Sequence, residues 1–253
     1  MENKLIVITG PTACGKTTFA AQLAALMNGE IISADSRQVY RRMDIGTGKD
    51  LDDYVIDGQA VPYHLIDIAE PGTRYNVYQY QHDFHEAYND ILSRGRQPIL
   101  CGGTGLYIES VLKAYEFDGR ECPPVDSIVF ALKIDRDLRR EKISQRLKAR
   151  LEEGMVDEIK SLIDEGVPTE RLIRYGLEYK FVTLYLLGQL TYDEMYTQLE
   201  IAIHQFAKRQ MTWFRGMEER RGTPIIWIEA TLPAAEKIQI VRQHLEDRNA
   251  ASE

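Results

Sequence analysis

The chain has 253 residues, 44% of them hydrophobic and 28% charged, with a formal net charge of -8. That length is enough for one large α/β domain, and no apolar run approaches the roughly 18 residues that a membrane span needs. The acidic balance argues against non-specific nucleic-acid binding but leaves room for a local basic groove.

In chain order, Leu5 to Thr9 is a short apolar run predicted to be a buried strand. It runs into Gly10-Pro11-Thr12-Ala13-Cys14-Gly15-Lys16-Thr17, which fits G-x-x-x-x-G-K-[ST], and a helical pattern follows to Met27. Strand, glycine turn and helix start together make a phosphate cradle. The glycines let backbone N–H groups converge, and the helix N-terminus adds partial positive charge. Gly10, Thr12, Ala13, Cys14, Gly15, Lys16 and Thr17 are therefore the candidate diphosphate-binding residues, with Lys16 for the outer phosphates and the Thr17 hydroxyl for a Mg²⁺ ion. Cys14 is expected to supply only its backbone N–H. Cys14, Cys101 and Cys122 lack metal-ligand spacing and fit a reducing cytoplasm.

A second strand, Glu30 to Ala34, ends at Asp35, and the C-terminal end of such a strand is where open α/β sheets bind ligands. The polar, glycine-bearing stretch from Asp35 to Asp50 is too rich in functional groups for a plain connector. Tyr63 to Ile68 is predicted as another strand, and Val77 to Ser93 as an amphipathic helix stopped by Arg94-Gly95-Arg96-Gln97-Pro98. Ile99 to Cys101 then repeats the opening pattern, a strand running into Gly102-Gly103-Thr104-Gly105 and a helix. Two such turns at one sheet edge would bracket a phosphate site. Ile128 to Ile134 is a further strand, Asp137 to Trp213 is mostly helical, and Ile225 to Ile228 is a last strand. The fold class expected is α/β, a P-loop NTPase-like, mostly parallel sheet with helices on both faces, plus C-terminal helices. Residues 1–230 are expected to form one core, and 231–253 a peripheral helix and tail.

The ordered set GPTACGKT, DSRQVYRRMDIGTGK, HLIDI, GGTGLY and AKRQMTWFR resembles the tRNA dimethylallyltransferase family across roughly residues 4 to 229. The resemblance implies transfer of a dimethylallyl group from dimethylallyl diphosphate to the exocyclic amine of the tRNA adenosine next to the anticodon on its 3′ side. It implies Asp35 as general base, Thr104 as the residue orienting the amine or the donor oxygen, and Arg136 as a cation for the departing diphosphate. Asp35, Ser36, Arg37, Gln38, Thr104, Lys208 and Arg209, with Gln210 beside them, fall where the family meets its RNA. The implied partners are the anticodon stem-loop of tRNA and the prenyl donor. No membrane contact is implied, and a cytoplasmic monomer is expected.

Blander roles stand beside these. Asp35 or Thr104 could simply cap a turn or helix. Arg136 could be a surface ion-pair partner, and the basic run 136–150 a solvated helix face. His64 and His204 are expected to be structural, and Trp213 and Phe214 to be core packing. The chain also departs from the resembled pattern. The helical insertion that grips the anticodon stem-loop is reduced to one loop at 117–127. Where the family form is YRGMDIGTAKP, this chain has Arg42 for the glycine and Asp50 for the proline. The GYKE segment becomes Glu178-Tyr179-Lys180-Phe181, and the Thr-Arg pair before AKRQ becomes Ile203-His204. Intact donor-side motifs favour a compact tRNA enzyme. The lost insertion and acidic charge favour a free adenine-nucleotide prenyltransferase. A non-catalytic RNA-binding relative or a kinase-like ATPase is the third reading, and no active-site motif favours it.

Overall fold

The computed structural model describes residues 4–115 and 124–250. Most of the expected loop at 117–127, and Cys122 with it, lies outside the described residues. In chain order the elements are β1 (Leu5–Thr9), α1 (Lys16–Leu26), β2 (Gly29–Ser33), a small hairpin of β3 (Val55–Ile56) and β4 (Gln59–Ala60), β5 (Tyr63–His64), α2 (Val77–Ser93), β6 (Gln97–Gly102) and α3 (Gly105–Leu112). They continue with β7 (Ser127–Lys133), α4 (Arg136–Glu152), α5 (Met155–Asp164), α6 (Thr169–Tyr175), α7 (Leu177–Leu186), α8 (Tyr192–Glu219), β8 (Ile225–Glu229) and α9 (Ala234–Ala250).

Six strands form one sheet in the order β5-β2-β6-β1-β7-β8, and every pairing in it is parallel. Parallel strands are covered on both faces, so their sequences are apolar throughout and alternate residues enter different cores. Ile6, Ile8, Ile31, Ile99, Phe130 and Leu132 pack under Phe19, Ala20 and Leu23 of α1. Leu5, Val7, Ile32, Leu100 and Val129 pack against Tyr80 and Phe84 of α2, Ile108 of α3 and Phe214 of α8. A third core is purely helical apart from Val39, Tyr40 and Met43, which the Asp35–Asp50 stretch sends into it.

Helix α8 joins the last two cores. Its first half (Met195, Leu199, Ile203, Ala207) belongs to the helical core and its second (Phe214, Met217) to the sheet. A capping box at Thr191 and Glu194 starts this 28-residue helix, which spans about 42 Å. Phe214 is fully buried and Trp213 packs against the same core, so both are packing residues, as expected. The ring of Trp213 fits because Gly105 lacks a Cβ, which would land on it.

Two differences from the sequence reading have local causes. The strand expected from Tyr63 to Ile68 stops at His64, because Leu65 and Asp67 adopt left-handed φ values of 63° and 56° that break the ladder. Helix α9, expected at the periphery, docks on the α1 side of the sheet. Val241 is fully buried in that core, and Lys237 lies 5.1 Å from the centre of the Phe19 ring.

Candidate active site

Three neighbouring strands, β2, β6 and β1, end at the same edge of the sheet, and each end carries one of the motifs. After β1 the chain turns through Gly10 (φ 151°), Ala13 (φ 62°) and Gly15 (φ 79°) before Lys16 opens α1. Gly10 is required by space as well as by angle, since a Cβ there would lie 2.9 Å from both Cys14 Sγ and Leu132 O. Cys14 points into the core, and burial pushes its thiol pKa up, so its contribution to the loop is its backbone.

The turn after β6 presses on the end of β2. A Cβ on Gly102 would collide with the Ala34 carbonyl, while Thr104 N donates to Ala34 O at 3.1 Å. Gln210 of α8 then ties the two glycine turns together. Its Oε1 accepts from Thr12 N at 2.8 Å, and its Nε2 donates to Gly103 O at 2.9 Å. The glutamine of AKRQ is thus a strut between the two turns.

Asp35 follows β2 directly. Its Oδ1 accepts from Arg37 N at 2.9 Å and more weakly from Gln38 N at 3.4 Å, so the carboxylate does cap the turn it starts. Oδ2 accepts no hydrogen bond among the described residues. Thr104 occupies the N-cap position of α3, but its hydroxyl makes no capping bond. It accepts from Ser36 N at 3.0 Å instead, joining the second glycine turn to the Asp35 turn.

One polar cleft gathers the P-loop and the Asp35 turn, while Thr104 and Ser36 stay outside its lining. Thr12, Lys16 and Thr17 line it together with Asp35, Arg37 and Gln38, and Tyr54, Glu178 and Phe206 complete its walls. Neither the Lys16 ammonium nor the Thr17 hydroxyl has a hydrogen-bond partner among the described residues. Arg37 Nη1 pairs with Glu178 Oε2 at 2.8 Å, and its guanidinium lies 5.4 Å from the centre of the Phe206 ring. Gln38 Nε2 donates to Gly48 O at 3.0 Å.

Arg136 does not line this cleft. It is exposed on the first turn of α4. The α4 cations that do line it are Arg146 and Arg150, about 15 and 21 Å further along the helix axis. They follow the buried stripe of Ile143 and Leu147, while Arg140, Lys142 and Lys148 face solvent. This alignment of basic with apolar residues on one face was the available sequence signal. Arg146 pairs with Asp50. Burial, and then the neighbouring Arg146, pull the Arg150 pKa down to about 10. Lys208 and Arg209 are exposed on α8 outside the cleft, with Arg209 5.9 Å from the centre of the Phe206 ring. His64 bonds Glu30 at 2.7 Å, far from these motifs in role, and the exposed group His82, Asp83 and Glu86 on α2 is not part of the lining.

The Asp35–Asp50 stretch keeps its shape through two tethers, the half-buried Glu158 and the buried Lys49. Glu158 of α5 accepts from the N–H groups of Asp44, Ile45 and Gly46 at 2.7–3.0 Å and from Tyr179 Oη at 2.7 Å. Lys49, its side chain 1% exposed, donates to Tyr40 O, Asp44 Oδ1 and Asp67 Oδ1 at 2.5–2.9 Å. Arg42 holds φ 59° where the resembled motif has glycine, and its guanidinium is anchored on Glu165 and Glu70.

Sequence comparison places the chain among known proteins. The model of the family described as IPP transferase matches residues 38–127 and 116–217, and that described as isopentenyl transferase matches residues 3–60. The tRNA dimethylallyltransferase 1 of Parabacteroides distasonis is 53% identical over 293 residues, covering 93% of this chain and 95% of that protein. A tRNA dimethylallyltransferase 2 of Bacteroides fragilis is 50% identical, with 96% and 98% covered. Both alignments are longer than this chain, so these relatives carry residues with no counterpart here. Among solved structures, the tRNA isopentenylpyrophosphate transferase of Bacillus halodurans superposes with a TM-score of 0.84 at 29% identity, covering 97% and 96% of the two chains. Identity above one half along nearly the whole chain, with motifs and fold in agreement, shows that the chain belongs to the tRNA dimethylallyltransferase (IPP transferase) family.

Proposed function

We propose that the protein transfers a dimethylallyl group from dimethylallyl diphosphate to the exocyclic amine of the tRNA adenosine 3′-adjacent to the anticodon. One observation carries this reading: Asp35 and the P-loop residues Lys16 and Thr17 line a single cleft. A base for the incoming amine and a cradle for the leaving group thus share one cavity, as a displacement at the donor's C1 carbon requires.

The amine of adenine is a weak nucleophile because its lone pair is delocalised into the ring. A carboxylate within hydrogen-bond reach accepts its proton as the C–N bond forms. Asp35 suits the task because the turn bonds hold Oδ1 and leave Oδ2 to the amine. Thr104, fixed by Ser36 N, orients the amine beside it. As the C–O bond to the diphosphate breaks, the loop N–H groups, Lys16 and the N-terminus of α1 stabilise the charge that develops. The residues also fit Mg²⁺: Thr17 offers a hydroxyl with no partner among the described residues, and a hard cation takes its remaining ligands from phosphate oxygens and water. When bound there, the ion would neutralise part of the diphosphate charge.

The acceptor base must leave its stack to reach the cleft, which is cheap in a single-stranded loop. Arg37 and Gln38 line the cleft beside Asp35, Ser36 sits between Asp35 and Arg37 in the chain, and the exposed Lys208 and Arg209 meet RNA phosphates. We place the protein in the cytoplasm, where the free thiols Cys14 and Cys101 stay reduced. No helix among the described residues is long and apolar enough to cross a membrane. We take the protein to act as a monomer.

The test offers labelled dimethylallyl diphosphate and Mg²⁺ with three acceptors: tRNA, an anticodon stem-loop and AMP. Label on the two RNAs alone is expected. Label on AMP would reassign the protein to free nucleotides, and donor binding without transfer to any acceptor would overturn the reading.

A further inference from the structure

The cations of the cleft differ in what they are bonded to. Arg37 is held by Glu178 at 2.8 Å, and Arg146 by Asp50. Arg150 lines the same cleft without a hydrogen bond or ion pair among the described residues. Four basic side chains, Lys16, Arg37, Arg146 and Arg150, line the cleft with the carboxylates Asp35 and Glu178, and Asp50 pairs with Arg146, so four cations stand against three carboxylates. Positive charge in excess, with the half-buried Arg150 unpaired among the described residues, is a site waiting for an anion.

Position says where the anion would lie. Arg146 and Arg150 also line a second, smaller cavity together with Thr12 and Ala13 of the P-loop. Arg150 thus borders a gap that the loop opening α1 also borders. Glu178 also lines both cavities, but its Oε2 accepts from Arg37.

The chain makes room for this head group. Gly48 has φ 64°, and a Cβ there would land inside the Arg150 guanidinium and within 2.8 Å of Arg146 Nη2. Gly48 and Asp50 therefore both face these α4 arginines. Without the glycine, Arg150 could not lie where it does.

We infer that Arg150 is a diphosphate ligand of the prenyl donor, gripping from α4 the face of the diphosphate opposite the P-loop. The inference rests on the donor reading above and adds a residue to it. A guanidinium presents a planar fork to phosphate oxygens, and its charge stabilises the diphosphate as it departs.

The test measures binding of inorganic pyrophosphate, at fixed Mg²⁺, to the wild type and to Arg150→Met, Arg150→Lys and Gly48→Ala by calorimetry, with melting of each free protein. Losing a charge-assisted pair is expected to weaken pyrophosphate by about tenfold to a hundredfold in Arg150→Met, with partial recovery in Arg150→Lys. The Tm of free Arg150→Met should not fall, because an unpaired, desolvated charge has been removed. Gly48→Ala should weaken pyrophosphate too, and should add nothing in the Arg150→Met background. A lowered Tm with unchanged pyrophosphate affinity in Arg150→Met would overturn the inference and make Arg150 a structural partner of Glu178. Failure of the wild type itself to bind pyrophosphate or donor would overturn the donor reading, and this inference with it.

Discussion

The two oxygens of Asp35 differ in what they are bonded to. Oδ1 closes the turn onto Arg37 N, while Oδ2 accepts no hydrogen bond among the described residues and is the oxygen to which we assign the proposed base role. This separates the two roles by experiment. Asp35→Asn keeps an acceptor for the turn and removes the base. Its single-turnover transfer rate should fall by about 10²–10⁴-fold, while pyrophosphate affinity stays within a factor of about two. A variant with the wild-type rate would reduce Asp35 to a cap. Thr104 is the converse case: the N-cap position predicts a helix cap, yet the hydroxyl is spent on Ser36 N. The position was legible from strand, glycine turn and helix start. The bond partner was not, because Ser36 reaches it only through the adjacency of β2 and β6.

At the scale of elements, α5 shapes the loop that carries the Asp35 turn. The carboxylate of Glu158 serves three consecutive backbone N–H groups and a phenol, which explains why the MDIG segment keeps a fixed form without secondary structure of its own. Glu158→Gln cannot accept with both ends. It should cost about 1–3 kcal/mol of stability, and hydrogen exchange at the amides of Asp44, Ile45 and Gly46 should quicken. Unchanged exchange there would show that Lys49 alone holds the loop. Helix α4 carries the main revision of the site. The basic run 136–150 is visible in the sequence, but which cation enters the cleft depends on where the Ile143 and Leu147 stripe docks. That docking brings in Arg146 and Arg150 and leaves Arg136 at the exposed start.

The whole molecule depends on contacts at the opposite end of the sheet from the cleft. Glu30 is 1% exposed and bonded to Arg94, Arg96 and His64. The Arg94 bonds, opposed by burial and helped by Arg96 and His64, hold its pKa down at about 2, against an ordinary 4.5. A depressed carboxylate contributes stability that is fully present above the unfolded value and is lost as pH falls through the folded one. Stability should therefore drop between pH 4.5 and about 2 by on the order of 3 kcal/mol, an upper figure, and Glu30→Gln should flatten that part of the curve. An identical acid limb in both proteins would place the acid sensitivity elsewhere. Helix α9 belongs to this scale as well. Removing residues 231–253 uncovers the core around Val241, so the shortened chain should lose its cooperative melt; a wild-type Tm would restore the helix to the periphery.

Several features followed from the sequence alone. The buried strand β1, the phosphate loop, the helix α2 from Val77 to Ser93 and the second glycine turn each depend on consecutive residues: backbone angles that glycine permits, apolar spacing, and a helix start. Packing decided the rest, because it joins residues far apart in the chain. Thr12 and Gln210 are 198 positions apart, and Asp50 and Arg146 are 96. No local pattern specifies such pairs. They form because the apolar faces of α4 and α8 are buried beside the sheet edge, and that burial carries their polar neighbours into one cleft.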